Sequence, residues 1–267
     1  MGSGIAQTAA QHGFYTILFE LNKEILEKAK LTIKKNLENL ASKNKITADD
    51  VSSIFSRIQF VNDTNDCIAD VIIEAIIEKA EAKIALFNQL AEINHSEVIF
   101  ASKTSSLSIT DIQKKVRHPS RVAGMHFFNP APVMKLIEVV KGEQTSADII
   151  DSIMELSRQM GKVPVICKDS PGFIVNRVAR HYYLEAMKIV EQGISSPEEV
   201  DKAMEDAAFK MGPFKLMDLI GLDINLSVTE SIYQALHHER FRPSPLQVKK
   251  VAKGELGRKT GKGFYAY

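Results

Sequence analysis

The chain has 267 residues, 45% of them hydrophobic and 25% charged, with a formal net charge of +1. That length suits one large domain or two ordinary ones with a sizeable core, and the composition is ordinary for a globular protein. The near-neutral charge gives no global signal for nucleic acid or an anionic membrane, no apolar run is long enough to span a bilayer, and two distant cysteines argue against a disulfide framework or a zinc site.

The chain opens Met1-Gly2-Ser3-Gly4, with no basic segment and no apolar run of the kind that forms a secretory signal. A G-x-G is present, but no strand precedes it, and a dinucleotide fingerprint requires one. Gly2 is read instead as the third glycine of G-x-G-x-x-G, where a helix packs closely on a strand. Ser3 to His12 is then the first helix, and a strand and two glycines are expected upstream of Met1.

Tyr15 to Glu20 follows as an apolar strand ending in an acid. Glu20 lies eighteen positions after Gly2. Near that spacing an acid accepts hydrogen bonds from the adenosine ribose, and it repels a 2′-phosphate, favouring NAD over NADP. Helical periodicity covers Lys23 to Lys43, Lys79 to Ile93 and Ser146 to Met160. The strand patterns are Val71–Ile77, Val98–Ser102, Val122–Phe128, Leu136–Lys141 and Val163–Cys167, apolar enough for burial on both faces. Cys167 ends the last of these and reads as a small buried hydrophobe. The alternation predicts a parallel, doubly wound, Rossmann-like α/β sheet over residues 1–169.

After Asp169-Ser170-Pro171-Gly172 the strand signal stops. Arg177 to Gln192 reads as a long helix, and Ser196-Pro197-Glu198-Glu199 as an N-cap with Pro at N1 and acids in the first turn. Residues 170–267 are therefore expected to form an all-helical domain.

Gly124 to Val140 reads G-M-H-F-F-N-P-A-P-V-M-K-L-I-E-V-V. A lone strand histidine is usually a core residue. Here Glu138 follows His126 by twelve positions in a second strand pattern, and the N-P and A-P turns could set those strands side by side. A carboxylate on one imidazole nitrogen orients the ring and leaves the other to exchange a proton with a substrate hydroxyl.

With this segment the chain resembles the 3-hydroxyacyl-CoA dehydrogenase family, including the 3-hydroxybutyryl-CoA enzymes. The resemblance extends through Thr104-Ser105-Ser106-Leu107, Asp169 to Arg177, Met211-Gly212-Pro213-Phe214 and Gly257 to Tyr265, and so covers essentially the whole chain. It implies reversible NAD-dependent oxidation of (S)-3-hydroxyacyl-CoA, expected to be short-chain, with no metal. It implies His126 as general base or acid, Glu138 as its orienting partner, and Ser105 and Asn176 as donors to the reacting oxygen. Gly2, Glu20, Glu78, Lys83, Ser105, Asn129 and Lys259 match cofactor-lining positions, and Asn36 and Lys43 match positions near the CoA. It implies a homodimer. The sparse cysteines fit a reducing compartment, and the cytoplasm is expected, with the mitochondrial matrix left open.

Blander roles stand beside these. Lys43, with Lys34 and Lys35, could be a solvated helix face. Ser105 could be a turn residue, and Asn176 a helix-terminal polar group. Lys79 and Lys103 depart from the family, which commonly has Asn at both. The competing functions are a related dehydrogenase of a non-CoA hydroxy acid, and a catalytically silent NAD-binding protein.

Overall fold

The computed structural model describes all 267 residues. They divide into two compact units, Met1–Asp169 and Ser170–Tyr267.

The first unit runs α1 (Gly2–Gln11), β1 (Thr16–Phe19), α2 (Lys23–Ser42), α3 (Ala48–Ser56), β2 (Ile58–Val61), β3 (Val71–Glu74), α4 (Ala80–Ile93), β4 (Ile99–Ser102), α5 (Ile109–Gln113), β5 (Val122–Phe127), β6 (Leu136–Lys141), α6 (Ala147–Gln159) and β7 (Val163–Lys168). Asn22 caps α2 by accepting from the N–H groups of Glu24 and Ile25, and Leu26, Ile33 and Leu37 form its buried stripe. Thr47 and Asp50 form a capping box that starts α3.

Strands β3-β4-β5-β6-β7 form one sheet in that order, and β1 and β2 form a separate parallel pair. Consecutive side chains of a strand face opposite sides. Ala101 of β4 lies in a core with Met125, Ile137, Val139, Ile149 and Ile153 beneath α1 and α6. Its neighbour Phe100 meets Phe87 of α4, with ring centroids 5.1 Å apart. The sheet is thus covered on both faces, as expected of a doubly wound fold.

Two expectations need correction. The pattern predicted a parallel sheet, but β5 and β6 pair antiparallel. The short Phe128–Lys135 connection has no crossover helix, which a parallel neighbour would need. The second concerns burial on both faces. Strand β7 is half open, with Val163, Val165 and Ile166 exposed and Cys167 only partly buried, because it is the outer strand of its sheet. Burial nonetheless pushes the Cys167 thiol up to about 12 and the Cys67 thiol to about 11, so neither is a ready thiolate.

No strand lies between β1 and β3. A cleft of about 940 Å³ does, lined by every residue of both strands and by Met1, Gly2 and Ser3 at the start of α1. Lining by consecutive strand residues means that strand edges, rather than faces, border it.

The second unit is helical: α7 (Val175–Glu191), α8 (Pro197–Asp206), α9 (Pro213–Ile220), α10 (Leu222–Leu236) and α11 (Pro245–Ala252). Ser196 caps α8 through the Glu199 N–H, with Pro197 at N1. Two buried acids organise the unit. Asp201 accepts from the N–H groups of Phe214 and Lys215 and from the Tyr265 hydroxyl. Asp218 accepts from the N–H groups of Phe264 and Tyr265 and from the Tyr267 hydroxyl. A Cβ on Gly257 (φ +93°) or Gly263 would collide with Asp218, which gives the C-terminal glycines a packing role. Asp218→Ala should therefore destabilise the unit by about 3 kcal/mol, since buried N–H groups lose a charged acceptor. Urea unfolding checks this, and a loss below about 0.5 kcal/mol would contradict it.

Candidate active site

The β5–β6 hairpin places His126 directly opposite Glu138. Opposed residues on adjacent strands point to the same face, which turns a twelve-residue separation into side-chain contact. His126 Nδ1 lies 2.6 Å from Glu138 Oε2, and the two residues are 5% and 1% exposed. An ionised carboxylate only accepts, so Nδ1 carries the shared proton and Nε2 is the nitrogen that can take another. Phe128 flanks the imidazole at 4.6 Å between centroids. The connecting turn is held by Lys162, whose ammonium donates to the carbonyls of Ala131 (2.5 Å) and Met134 (3.0 Å). Burial lowers the pKa of that ammonium.

Ser105 sits in the turn after β4. Its backbone N–H donates to Glu78 Oε1 at 2.9 Å, and the Thr104 hydroxyl donates to the same oxygen at 2.5 Å. Thr104 Oγ1 in turn accepts from the N–H groups of Ser106 and Leu107. Partial burial opposes ionisation of Glu78. Those two donors, with the Lys83 and Lys103 cations, outweigh it and hold the carboxyl below its ordinary range. Lys83 is fully buried, with its ammonium 3.3 Å from Glu78 Oε2 and 2.7 Å from Glu74 Oε1.

The remaining positions separate. Glu20 lies just after β1 and accepts from the Asn22 N–H. Gly2 opens α1, but a Cβ there would meet Ala75 at an ordinary 3.7 Å; the tighter approach is at Gly4, 3.1 Å from Pro132. Asn36 and Asn129, one assigned to CoA and the other to the cofactor, line the same cavity of about 140 Å³. The Asn36 amide also donates to Gln7. Lys43 is exposed at the C-cap of α2. Two further positions belong to the second unit. There Asn176 stands in the first turn of α7, and Lys259 pairs with Asp223 at 2.5 Å. Of the two departures from the family, Lys79 is the exposed N-cap position of α4, and the Lys103 N–H donates to the Glu74 carbonyl.

Sequence reasoning passed over Glu74. It interrupts the apolar run V-I-I-E-A-I-I, and an acid inside a buried strand is itself a signal, because such a group is kept only when paired.

The residues around α1 suit a dinucleotide. The first turn of α1 has no acidic residue and no capping side chain, so its N–H groups suit an anion, and Glu20 supplies a carboxylate at the end of the neighbouring strand. There is no cluster of three potential metal ligands, and no helix is long and apolar enough to cross a membrane.

Comparison with known proteins agrees over the whole length. Residues 1–170 match the family described as 3-hydroxyacyl-CoA dehydrogenase, NAD binding domain, and residues 172–267 match its C-terminal domain. A probable 3-hydroxybutyryl-CoA dehydrogenase of Deinococcus radiodurans is 42% identical, covering 100% of this chain and 96% of its own. The 3-hydroxyadipyl-CoA dehydrogenase of Escherichia coli is 46% identical over 99% of this chain, which spans only 56% of that relative. The crystal structure of (S)-3-hydroxybutyryl-CoA dehydrogenase from Ralstonia eutropha superposes with a TM-score of 0.96 at 39% identity, covering 100% of this chain and 95% of that one. The paired His126 and Glu138, the dinucleotide-compatible start of α1 and these full-length matches place the chain in the 3-hydroxyacyl-CoA dehydrogenase family, with NAD as its cofactor.

Proposed function

We propose that the chain catalyses reversible oxidation of a short-chain (S)-3-hydroxyacyl-CoA, such as 3-hydroxybutyryl-CoA, to the 3-oxoacyl-CoA. The observation that best supports this is the buried His126–Glu138 pair at 2.6 Å, the arrangement a proton-transferring imidazole needs. NAD⁺, when bound, supplies the hydride acceptor. In the oxidation direction His126 Nε2 takes the hydroxyl proton. Glu138 holds the tautomer and stabilises the imidazolium that forms, and in reduction the same nitrogen returns the proton. Ser105 and Asn176 are the proposed donors to the substrate oxygen, where negative charge develops. Glu20 is the proposed ribose acceptor, and its carboxylate disfavours a 2′-phosphate. Lys43 is the proposed contact for a CoA phosphate, where an exposed ammonium suits an anion.

Thioester selectivity tests the substrate class. NADH oxidation is expected with acetoacetyl-CoA and at least about a hundredfold less efficiently with free acetoacetate, because CoA provides remote binding energy for orientation. Comparable efficiency with the free acid would favour a hydroxy-acid enzyme instead. A homodimer is also proposed. Phe209, Leu219, Ile220 and Ile224 of the helical unit are exposed and apolar, which suits self-association.

A further inference from the structure

Behind the Ser105 turn lies a chain of charges that the proposed chemistry does not use. Glu74, the last residue of β3, is 2% exposed, and both of its oxygens are engaged. Oε1 accepts from the Ile76 N–H at 2.7 Å and from Lys83 Nζ at 2.7 Å. Oε2 accepts from Lys83 at 2.9 Å and from the Ser102 hydroxyl at 2.8 Å. The Lys83 ammonium, on α4, also reaches the Lys103 carbonyl at 3.4 Å and Glu78 Oε2 at 3.3 Å. Glu78 Oε1 then gathers the Thr104 hydroxyl, the Ser105 N–H and the Ser106 hydroxyl. A fully buried lysine is expensive unless paired, and this one is shared by two carboxylates. The strand end, the helix and the serine turn are thereby tied to one ammonium.

We propose that Glu74 and Lys83 are positioning residues for Ser105, acting through Glu78. The inference rests on the proposed dehydrogenase chemistry, in which Ser105 holds the reacting oxygen. Glu74 fixes Lys83, Lys83 fixes the second oxygen of Glu78, and Glu78 fixes the backbone of Ser105. With its N–H clamped to a carboxylate that cannot swing, Ser105 presents its hydroxyl in one direction. Without the buried anchor, the Lys83 ammonium is no longer held in one place beneath Glu78 Oε2, and the Glu78 side chain, already 33% exposed, is free to shift together with the serine turn it holds. Lys83 and Glu78, which the family resemblance places beside the cofactor, then influence it by what they hold in place.

The test pairs two readouts on Glu74→Gln, which keeps the shape and removes the charge, with Glu78→Gln as a partly exposed second variant should the first fail to fold. Amide hydrogen exchange on the unliganded protein is expected to quicken at least about tenfold at Ser105, Ser106 and Leu107, with the β5–β6 hairpin unchanged. In NADH oxidation with acetoacetyl-CoA, kcat per folded molecule is expected to fall about 10- to 100-fold, because small misplacements in a site cost that much. For Glu74→Gln, KM and the NADH dissociation constant should stay within about threefold, since Glu74 is buried behind the turn and the relay acts on the reacting geometry. Glu78→Asp, which keeps the charge but shortens the arm, should recover part of that rate. Unchanged exchange at the serine turn overturns the proposal whether or not the wild type turns over. So does a weakened NADH affinity with kcat intact. A wild type that fails to turn over at all refutes the dehydrogenase reading and leaves the exchange result to judge the relay.

Discussion

His126→Gln is expected to lower kcat by about 10²–10⁴-fold, the range lost with a general acid–base group. Glutamine is close in size and polar, so it can take the place of the imidazole beside Phe128, but its amide neither takes nor gives a proton at neutral pH. NADH affinity and the far-ultraviolet circular dichroism should stay close to wild type, because His126 pairs with Glu138 and is not a member of the hydrophobic core cluster. Glu138→Gln should come close to the same loss by a different route. A carboxamide can donate its N–H to Nδ1, which forces the ring proton onto Nε2, the nitrogen that must accept in the oxidation direction. Steady-state kinetics of both variants in both directions provide the check. Wild-type turnover in folded His126→Gln would remove the imidazole from the mechanism.

A second large effect is expected from the cleft between β1 and β3. Two strand edges border about 940 Å³ there, with Ile5, Ile17, Phe19, Ile72 and Ile73 among the lining residues. Unpaired strand edges and an apolar lining favour one more strand. Appending an apolar five-residue strand and a Gly-x-Gly turn to the amino end of Met1 should therefore place that strand between β1 and β3. Each apolar side chain it buries contributes roughly 1.5–3 kcal/mol, against roughly 1–2 kcal/mol per residue for ordering the backbone. The two new hydrogen-bond ladders add to the favourable side, and a net gain of a few kcal/mol would raise Tm by about 5–10 °C. The turn would also bring its N–H groups to the start of α1, and NADH should bind at least about tenfold more tightly. Thermal unfolding and NADH titration of the two forms decide the matter. An appended strand that stays protease-sensitive, with Tm and affinity unchanged, would show that the cleft does not accept one.

Much of the architecture was legible because hydrophobic period is a local signal. The strand patterns at Leu136–Lys141 and Val122–Phe128 agree with β6 and β5 to within a residue, and the helix expected at Ser146–Met160 is α6 to within one at each end. The antiparallel turn at β5–β6 was only half legible. The N-P and A-P dipeptides announced a turn, yet the alternating pattern still suggested a uniformly parallel sheet. Elements α3 and β2 escaped notice. The capping box of α3 uses Asp50 where the usual signature has Glu or Gln, and I-Q-F-V is too short to separate from a loop. The exposure of β7 is tertiary information, since the same apolar run would suit a central strand. At the site, the two strand patterns and the N-P and A-P turns between them suggested His126 and Glu138 as neighbours, and the family resemblance gave them their roles. Glu74 showed in the sequence only as an acid in an apolar run; its partners Lys83 and Ser102, 9 and 28 positions away, were not legible there.

The most direct test of the central claim is NADH oxidation by the purified chain with acetoacetyl-CoA, with the product resolved by chiral chromatography of its thioester. The account predicts one NADH consumed per (S)-3-hydroxybutyryl-CoA formed. A folded protein that binds NADH but forms no hydroxyacyl-CoA would contradict it.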